Sequence, residues 1–309
     1  MTMEAINRDS AFAPSTPAMF YDRLWCGEGT GKQPLVLVHG AGHTGACYLQ
    51  TPDGRPGWAQ YFARSGYDVY VPDWPGMGRS GRMDPTALTG EIVAAALGAL
   101  LEALDQPAIL LTHSMSGAYG WKVLETHANC LKAVIGVAAS GPGNIEPVPQ
   151  VLERGDDYVV VRRGAFDRRV DFTRARRFDD KIVEDKLIGV GSTQFPRAAL
   201  EAYRQSLTET PPRLAYERSN VEGSQIRLAD FAAMRDIPVL MVTAEADPDH
   251  TKESDQAIVD WFVEQGLSAA LCYLPDHNIA GNGHMVMLEK NSDAIAGLIG
   301  DWIERVVAS

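Results

Sequence analysis

Short apolar runs alternate with longer amphipathic stretches along most of the 309-residue chain. The apolar runs are rich in Val, Ile and Leu and end at turn-forming residues, which is typical of buried β-strands. The predicted strands are Leu35–His39, Asp68–Val71, Ala108–Thr112, Ala133–Ala138, Val239–Thr243 and Ala269–Tyr273.

The stretches between these runs repeat their apolar residues at helical spacing. They predict helices near Gly57–Ser65, Leu88–Leu104, Gly117–His127, Lys252–Gln265 and Ser292–Val307. Gly66 and Gly266 follow two of these helices, at the position of a left-handed C-cap. Strands that alternate with helices indicate an α/β fold, with a mostly parallel central sheet and helices on both faces.

One segment, residues 141 to 232, interrupts this alternation. It opens with GPGNIEPVP and then carries eight Arg against seven Asp plus Glu between Val151 and Asp180. A solvated face with many ion pairs is favoured over an electrostatic docking patch. Because the segment lies between two strands, it predicts an inserted helical cap over the carboxyl edge of the sheet, where open α/β folds bind ligands. The predicted core is 1–143 with 233–309, and the predicted cap is 144–232.

The charge balance and the cysteines restrict the function classes. A net charge of −12 and a pI near 5.0 argue against a nucleic-acid surface or docking on anionic lipid. No apolar run is long enough for a membrane span, and no signal-peptide pattern is visible. The four cysteines form no CxxC pair, which predicts reduced, buried thiols in a cytoplasmic protein; they are Cys26, Cys47, Cys130 and Cys272. The sequence leaves a homodimer open.

A glycine-rich loop follows the first predicted strand. Gly40, Gly42 and Gly45 have the G-x-G-x-x-G spacing of a dinucleotide site, and Asp73 lies where a ribose-binding acid is expected. However, the next residues are rich in Pro and Gly and do not predict the helix that such a site needs. The alternative is a His-Gly turn that directs a backbone N–H at a developing oxyanion. The sequence favours this alternative.

The stretch THSMSG, residues 112–117, has the pattern of a nucleophile elbow, a tight strand-to-helix turn with small residues two before and two after the nucleophile. Ser114 has Thr112 and Ser116 at those positions, and Ser116 has Ser114 and Ala118. Ser114 is the candidate nucleophile because it directly follows the strand, whereas Ser116 is expected to be a helix N-cap.

A serine nucleophile needs a base and a group that orients the base. Of the seven histidines, His284 lies in the glycine-rich loop AGNGH between the last strand and the last helix. Asp247 lies in the turn after the strand that ends at Thr243, and it is preferred over Glu245 and Asp249 as the acid. The order Ser114, Asp247, His284 is the order of the α/β-hydrolase triad.

With these residues placed, the chain resembles α/β-hydrolases over most of its length, including the D-x-x-G-x-G-x-S turn at DWPGMGRS. Residues 51–80 and 281–291 are similar to bacterial carboxylesterases of the Alcaligenes esterase type. The resemblance implies a Ser114–His284 pair, with an oxyanion hole formed by the N–H groups of Ala41 and Met115.

Three features depart from that esterase type. It carries paired cysteines where this chain has Ala41 and Gly42, its insertion is smaller, and its acid is a Glu after the strand that follows the elbow. In this chain the first carboxylate there is Glu146, which leaves Asp247 as the preferred acid.

The expected function is hydrolysis of a small-molecule carboxylic ester through an acyl-enzyme, with no metal or organic cofactor. A lactonase or amidase would use the same triad. Two alternatives come from other classes: an NAD(P)-dependent oxidoreductase that uses Gly40, Gly42 and Gly45, and a non-catalytic binding protein on the hydrolase fold.

Overall fold

The computed structural model describes residues 5–27, 31–163 and 166–307, without the side chains of 163 and 166. Within these residues the main sheet has eight strands in the order β1-β2-β4-β3-β5-β6-β10-β11. Its strands are β1 (Ile6–Ala13), β2 (Met19–Cys26), β3 (Pro34–Val38), β4 (Asp68–Pro72), β5 (Ala108–His113), β6 (Leu131–Val137), β10 (Val239–Thr243) and β11 (Ala269–Tyr273).

The strands from β4 to β11 along this order pair in parallel and include all six predicted strands. The predicted mostly parallel sheet is therefore confirmed. β5 lies in the middle, between β3 and β6, and all six of its residues are buried. Its AILLT run is apolar because both faces of a central parallel strand are covered. The carboxyl end of β5 consequently lies at the centre of the sheet edge.

The antiparallel hairpin of β1 and β2 was not predicted. β1 reads INRDSAFA and is mostly exposed, because it forms the outer edge of the sheet and pairs only with β2 within the described residues. Arg8 reaches across the hairpin to the buried Asp22 at 3.0 Å. An edge strand with polar side chains lacks the apolar pattern by which the other strands were found.

The predicted helices are confirmed on both faces of the sheet. The helices of the core are α1 (Ala46–Leu49), α2 (Trp58–Arg64), α3 (Gly90–Glu102), α4 (Ser116–Thr126), α8 (Lys252–Glu264) and α9 (Ser292–Val307). α2 and α9 bury their apolar faces on one side, and α3, α4 and α8 on the other. Gly66 and Gly266 have φ of +92° and +87°, as a left-handed C-cap requires.

The insertion is mixed rather than purely helical. It contains α5 (Asp180–Ile182), a π-helical turn (Val183–Gly189), α6 (Leu200–Ser206) and α7 (Pro212–Arg218), together with an antiparallel sheet. The strands of that sheet are β7 (Gln150–Arg154), β8 (Tyr158–Arg163) and β9 (Phe166–Asp171). Val159, Val161 and Val170 are buried on its inner face, and the outer positions that alternate with them include the exposed Arg162, Asp167 and Arg169. The high charge of the outer face hid this alternation. The boundaries at 143/144 and 232/233 stay a prediction.

No disulfide joins the four cysteines within the described residues; Cys47 and Cys272 are buried, whereas Cys26 and Cys130 are half-buried, contrary to the expectation that all were buried. Among the described residues, no helix combines the length and apolar character needed to cross a membrane.

Candidate active site

Ser114 occupies a tight turn between β5 and α4. Its φ is +55°, a strained value for a residue other than glycine. The turn is locked by backbone hydrogen bonds: Ser114 N–H donates to the Val137 carbonyl at 3.1 Å, and its carbonyl accepts from Gly117 and Ser140 at 2.9 Å. These bonds hold the Ser114 hydroxyl at the carboxyl edge of the sheet.

Two glycines allow α4 to lie close to the strands. A Cβ on Gly117 would lie 2.7 Å from the Ser140 nitrogen, and a Cβ on Gly120 would lie 2.6 Å from Cγ2 of Thr112. Thr112 stands where elbows usually carry glycine, and the missing side chain of Gly120 makes room for it. The departure from the usual elbow sequence is therefore compensated one helical turn later.

Ser116 is fully buried and is the first residue of α4, not its N-cap as predicted. Its Oγ accepts from the His113 N–H at 2.9 Å and lies 2.9 Å from the His113 carbonyl. These bonds fold the elbow and leave the Ser116 hydroxyl no access to substrate.

The structure brings Ser114, His284 and Asp247 into one hydrogen-bonded chain. His284 Nε2 lies 2.9 Å from Ser114 Oγ, and His284 Nδ1 lies 2.6 Å from Asp247 Oδ2. An ionised carboxylate can only accept, so Nδ1 carries the proton and Nε2 is free to accept from the hydroxyl. His284 and Asp247 are 1% and 3% exposed, which excludes competing water. This is the geometry of a base oriented by an acid.

Asp247 is held in its ionised form. Burial raises the pKa of its carboxyl group, but the electrostatic interaction and the hydrogen bond with the His284 ring outweigh burial and lower that pKa well below the ordinary value. Its other oxygen, Oδ1, accepts from the N–H groups of Asp249 at 3.0 Å and His250 at 3.2 Å. The turn after β10 therefore fixes the carboxylate as well as its charge.

The other candidate acids have different partners. Glu245 accepts from the Gly281 N–H at 3.0 Å, and Asp249 forms an ion pair with Lys186 of the π-helical turn. Glu146 lies in the loop after β6, where its carbonyl accepts from Asn220. Among the described residues, Asp247 is the carboxylate that contacts the His284 ring.

Two further histidines pack against His284. His113 Nε2 lies 3.0 Å from the His284 carbonyl, and burial lowers the pKa of His113 well below 6.5, so its neutral ring donates this bond. The His250 ring stacks on His284 with centroids 5.6 Å apart, and its Nδ1 lies 3.0 Å from Asp255. Burial opposes protonation of His250, but the hydrogen bond to Asp255 raises its pKa.

His113 thus braces the site, because its ring holds the backbone of the loop that carries His284. The sequence analysis gave His250 no role. A sequence signal for this role is that His250 and Asp255 lie on either side of Thr251, the N-cap of α8. This spacing directs both side chains toward the end of β10.

The loop after β3 lies directly against Ser114. A Cβ on Gly40 would lie 2.9 Å from the Ser114 Cβ and 2.8 Å from His113 Nδ1, so this position accepts only glycine. Among the described residues, neither the Ala41 nor the Met115 N–H has a hydrogen-bond acceptor within the protein. The backbone carries both donors to the rim of the elbow, where they are available to an oxyanion.

Two buried histidines hold this loop in shape. His39 Nδ1 lies 2.8 Å from the Gly40 carbonyl, and its Nε2 accepts from the Trp74 N–H at 3.2 Å. His43 Nδ1 lies 2.7 Å from the Ala41 carbonyl. Burial lowers the pKa of His39 to about 4 and that of His43 to about 3, so both rings are neutral.

The insertion covers the same loop. The Phe178 ring occupies the space that a side chain on Gly42 would need, and the Thr208 N–H donates to the Gly42 carbonyl at 2.8 Å. Tyr203 places its hydroxyl 3.1 Å from His43 Nε2. The oxyanion loop is thus held between the sheet and the insertion.

The loop that carries His284 is tied down by Glu289, a residue the sequence analysis missed. The Glu289 carboxylate accepts from the Gly283 N–H at 2.8 Å and from Ser192 Oγ at 3.0 Å, and it also contacts Asn282. Burial raises the pKa of Glu289. The GNGHMVMLE motif contains this acid five residues after His284, which is its sequence signal.

Asp73 and Gly45, which the dinucleotide alternative requires at a ligand site, have partners within the protein instead. Asp73 accepts from the Gly45 N–H at 2.8 Å and from Arg79 Nε at 2.9 Å, so its carboxylate holds two turns together. A Cβ on Gly45 would lie 2.7 Å from Val71, inside the protein rather than toward a ligand. In the described part of the chain, no group of three or more His, Cys, Asp or Glu has the arrangement of a metal site.

One family profile and one curated relative each match most of the chain. The profile of a family described as “Alpha/beta hydrolase family” matches residues 35–298. A curated relative named “Probable secreted lipase phiG”, from Fungal sp. (strain ATCC 74256), is 26% identical, with 89% of this chain and 83% of the relative covered.

A shorter match covers 39% of the chain. It is 30% identical to 42% of a 2-hydroxy-6-oxononadienedioate/2-hydroxy-6-oxononatrienedioate hydrolase of Paraburkholderia phymatum. Among solved structures, one described as a novel bacterial esterase superposes with a TM-score of 0.62 at 19% identity, covering 98% of this chain and 97% of the other. The structural likeness shows the α/β-hydrolase fold, and the finer resemblance to the Alcaligenes esterase type stays a prediction.

Proposed function

Since the chain belongs to the α/β hydrolase family, we propose that it is a serine esterase that cleaves a carboxylic ester through an acyl-enzyme. The observation that carries this proposal is the chain of hydrogen bonds from Ser114 through His284 to Asp247. The proposal is also supported by the relatives named lipase and esterase.

In the first half of the reaction, Ser114 Oγ attacks the ester carbonyl while His284 Nε2 takes the hydroxyl proton. The ionised Asp247 stabilises the imidazolium that forms and keeps the proton on Nδ1. His284 then gives its Nε2 proton to the leaving alkoxide, and the alcohol departs from the acyl-enzyme. In the second half, a water molecule attacks the acyl group in the same way, which releases the carboxylic acid and restores Ser114.

The Ala41 and Met115 N–H groups are proposed to hold the oxyanion in both tetrahedral intermediates. Each donor of this kind typically contributes about 3 kcal/mol to the transition state. Both belong to backbone segments that buried side chains keep rigid, so they need little reorganisation during the reaction.

A lactone or an activated amide would react with the same groups. Esters are preferred in this proposal because the relatives are named lipase and esterase. Four cysteines without a disulfide among the described residues are typical of a reducing compartment, and a cytoplasmic location is part of the proposal.

The proposal is tested by labelling the purified protein with a fluorophosphonate and locating the adduct by peptide mass spectrometry. The expected adduct is on Ser114, with hydrolysis of 4-nitrophenyl butyrate abolished in Ser114→Ala. The matched control is Ser116→Ala, in which the label stays on Ser114.

An adduct on Ser116, or full ester hydrolysis by Ser114→Ala, would overturn the proposal. Absence of both labelling and hydrolysis would favour the non-catalytic binding protein. Saturable fluorescence quenching by NAD or NADP would instead revive the oxidoreductase.

A further inference from the structure

One arginine of the insertion, Arg168, lies on the inner face of the three-stranded sheet rather than on its exposed face. Arg162 and Arg169 point outward and pair with Asp167 at 2.5 Å and with Asp171 at 2.8 Å. Arg168 alternates with Arg169 along β9 and therefore shares the inner face with Val170. Within the described residues the Arg168 side chain forms neither an ion pair nor a hydrogen bond.

A second cation faces the same region from the π-helical turn. Lys186 forms an ion pair with Asp249, and 26% of the Lys186 side chain and 35% of the Asp249 side chain are accessible. Burial lowers the pKa of Lys186, and the charge of Asp249 opposes that effect. The pair is half-buried and joins the π-helical turn of the insertion to the turn after β10.

These cations share one carboxylate, that of Asp249. Arg168, Lys186 and Arg218 repel one another, and each is attracted to Asp249. Arg218 also has other contacts. The nearby acids are already engaged: Asp247 by His284, and Asp255 by His250. The Arg168 guanidinium has no carboxylate of its own among the described residues, and a guanidinium that has lost water on burial is stabilised by an anionic group beside it.

The cation cluster adjoins the catalytic loops. The Asp249 N–H donates to Asp247 at 3.0 Å. The turn that carries Lys186 packs on both loops, because a Cβ on Gly189 would clash with the Ala246 carbonyl and a Cβ on Gly283 would clash with the Ile188 carbonyl. The cluster therefore lies on the insertion side of the loops that carry Asp247 and His284.

We propose that Arg168 and Lys186, with added charge from Arg218, bind a carboxylate group of the substrate. This inference rests on the proposed esterase function and narrows its substrates to esters that carry a free carboxylate. A guanidinium matches a carboxylate because its parallel N–H groups contact both oxygens, and a lysine ammonium adds a point charge.

The test compares half-esters with neutral partners of the same length. One series is the mono-4-nitrophenyl esters of succinate, glutarate, adipate and suberate, and the other is their methyl-capped diesters. A second pair of series places the carboxylate on the alcohol side, as butyryl esters of hydroxy acids and of their methyl esters. For at least one chain length in these series, the wild-type kcat/KM is expected to be at least tenfold higher for the carboxylate substrate than for its neutral partner.

Arg168→Met and Lys186→Met are each expected to reduce the ratio of kcat/KM for the carboxylate substrate to kcat/KM for its neutral partner at least fivefold. The reduction comes from a lower kcat/KM for the carboxylate substrate. The matched controls are Arg162→Met and Lys181→Met, since both residues are exposed and pair with carboxylates on the outer surface. These controls keep the wild-type ratio.

If either inward variant fails to fold, the wild type alone decides. Adipate is then expected to inhibit hydrolysis of 4-nitrophenyl butyrate competitively, with a Ki at least tenfold below that of adipamide. Equal inhibition, no preference for a carboxylate at any length, or an unchanged ratio in both variants would overturn the inference while esterase activity stands. Absence of hydrolysis of every ester, with no labelling of Ser114, would instead overturn the proposed function.

Discussion

At the residue scale, the ionisation of Asp247 follows from two opposing effects of burial. Loss of water alone would favour the neutral acid, but burial also brings His284 and two backbone N–H groups within hydrogen-bond distance. The balance lowers the pKa of Asp247, so the carboxylate stays charged down to acidic pH. The tautomer of His284 is then the one in which Nε2 accepts the Ser114 proton.

Replacement of Asp247 tests this directly. Asp247→Asn is expected to lower kcat for 4-nitrophenyl butyrate by about a thousandfold to ten-thousandfold, because the amide no longer enforces that tautomer. Glu245→Gln is the control, because Gln retains an oxygen that can accept from Gly281, and its kcat should stay within threefold of the wild type. An Asp247→Asn variant with a tenth or more of the wild-type kcat would rule out Asp247 as the acid.

At the scale of elements, the oxyanion loop depends on two layers of the molecule. The sheet supplies β3 and the elbow, and the insertion supplies Phe178, Tyr203 and Thr208. Gly42 has a φ of +69° and lies under Phe178, so this residue combines a left-handed backbone with a close contact. The position of the Ala41 N–H therefore depends on the packing of the insertion.

Gly42→Ala is expected to lower kcat at least tenfold while far-UV circular dichroism is retained, since the added methyl group displaces Phe178 or the loop. Gly54→Ala is the matched control, because Gly54 has a φ of +84° with open space around it. Both substitutions cost about 1 kcal/mol or more of stability through the backbone, but the control should keep its kcat. Equal kcat in the two variants would show that the contact with the insertion does not position the loop.

At the scale of the whole molecule, neutral buried histidines make stability depend on pH. His39, His43 and His113 all have pKa values lowered by burial, to about 4 for His39 and about 3 for His43. Below pH 6.5 the unfolded chain binds these protons and the folded chain does not, so stability falls as pH decreases. His250 has a raised pKa and adds nothing to this slope, because below pH 6.5 its ring is protonated in both the folded and the unfolded chain.

Each neutral histidine contributes about 1.4 kcal/mol per pH unit to this slope between pH 6 and the folded-state pKa. His43→Gln should therefore flatten the dependence of unfolding free energy on pH by that amount, as measured by urea unfolding between pH 6 and pH 4.5. His277→Gln is the control, because His277 is exposed, and should leave the slope unchanged. An unchanged slope in His43→Gln would mean that His43 is protonated in the folded protein.

Much of the core could be predicted because its signals are local. Leu35–His39 and Ala108–Thr112 are short, largely apolar runs bounded by turn residues, which is typical of a buried strand, and Gly66 and Gly266 mark helix ends by their backbone freedom. Ser114 was singled out because it directly follows the strand, whereas small neighbours alone did not separate it from Ser116. The edge strand Ile6–Ala13 and the sheet of the insertion were missed, since their side chains are largely polar or charged and the pairing partners lie on other segments.

The sequence by itself determined the α/β class, the order of the core elements and the candidate residues Ser114, Asp247 and His284, because each of these leaves a pattern within a few residues of chain. Only the tertiary structure decided which carboxylate contacts His284, that His250 and Glu289 support it, and that Arg168 faces inward. Those facts depend on distances between residues up to 171 positions apart, such as His113 and His284. Such distances are set by how the sheet, loops and insertion pack together, and no local pattern encodes them.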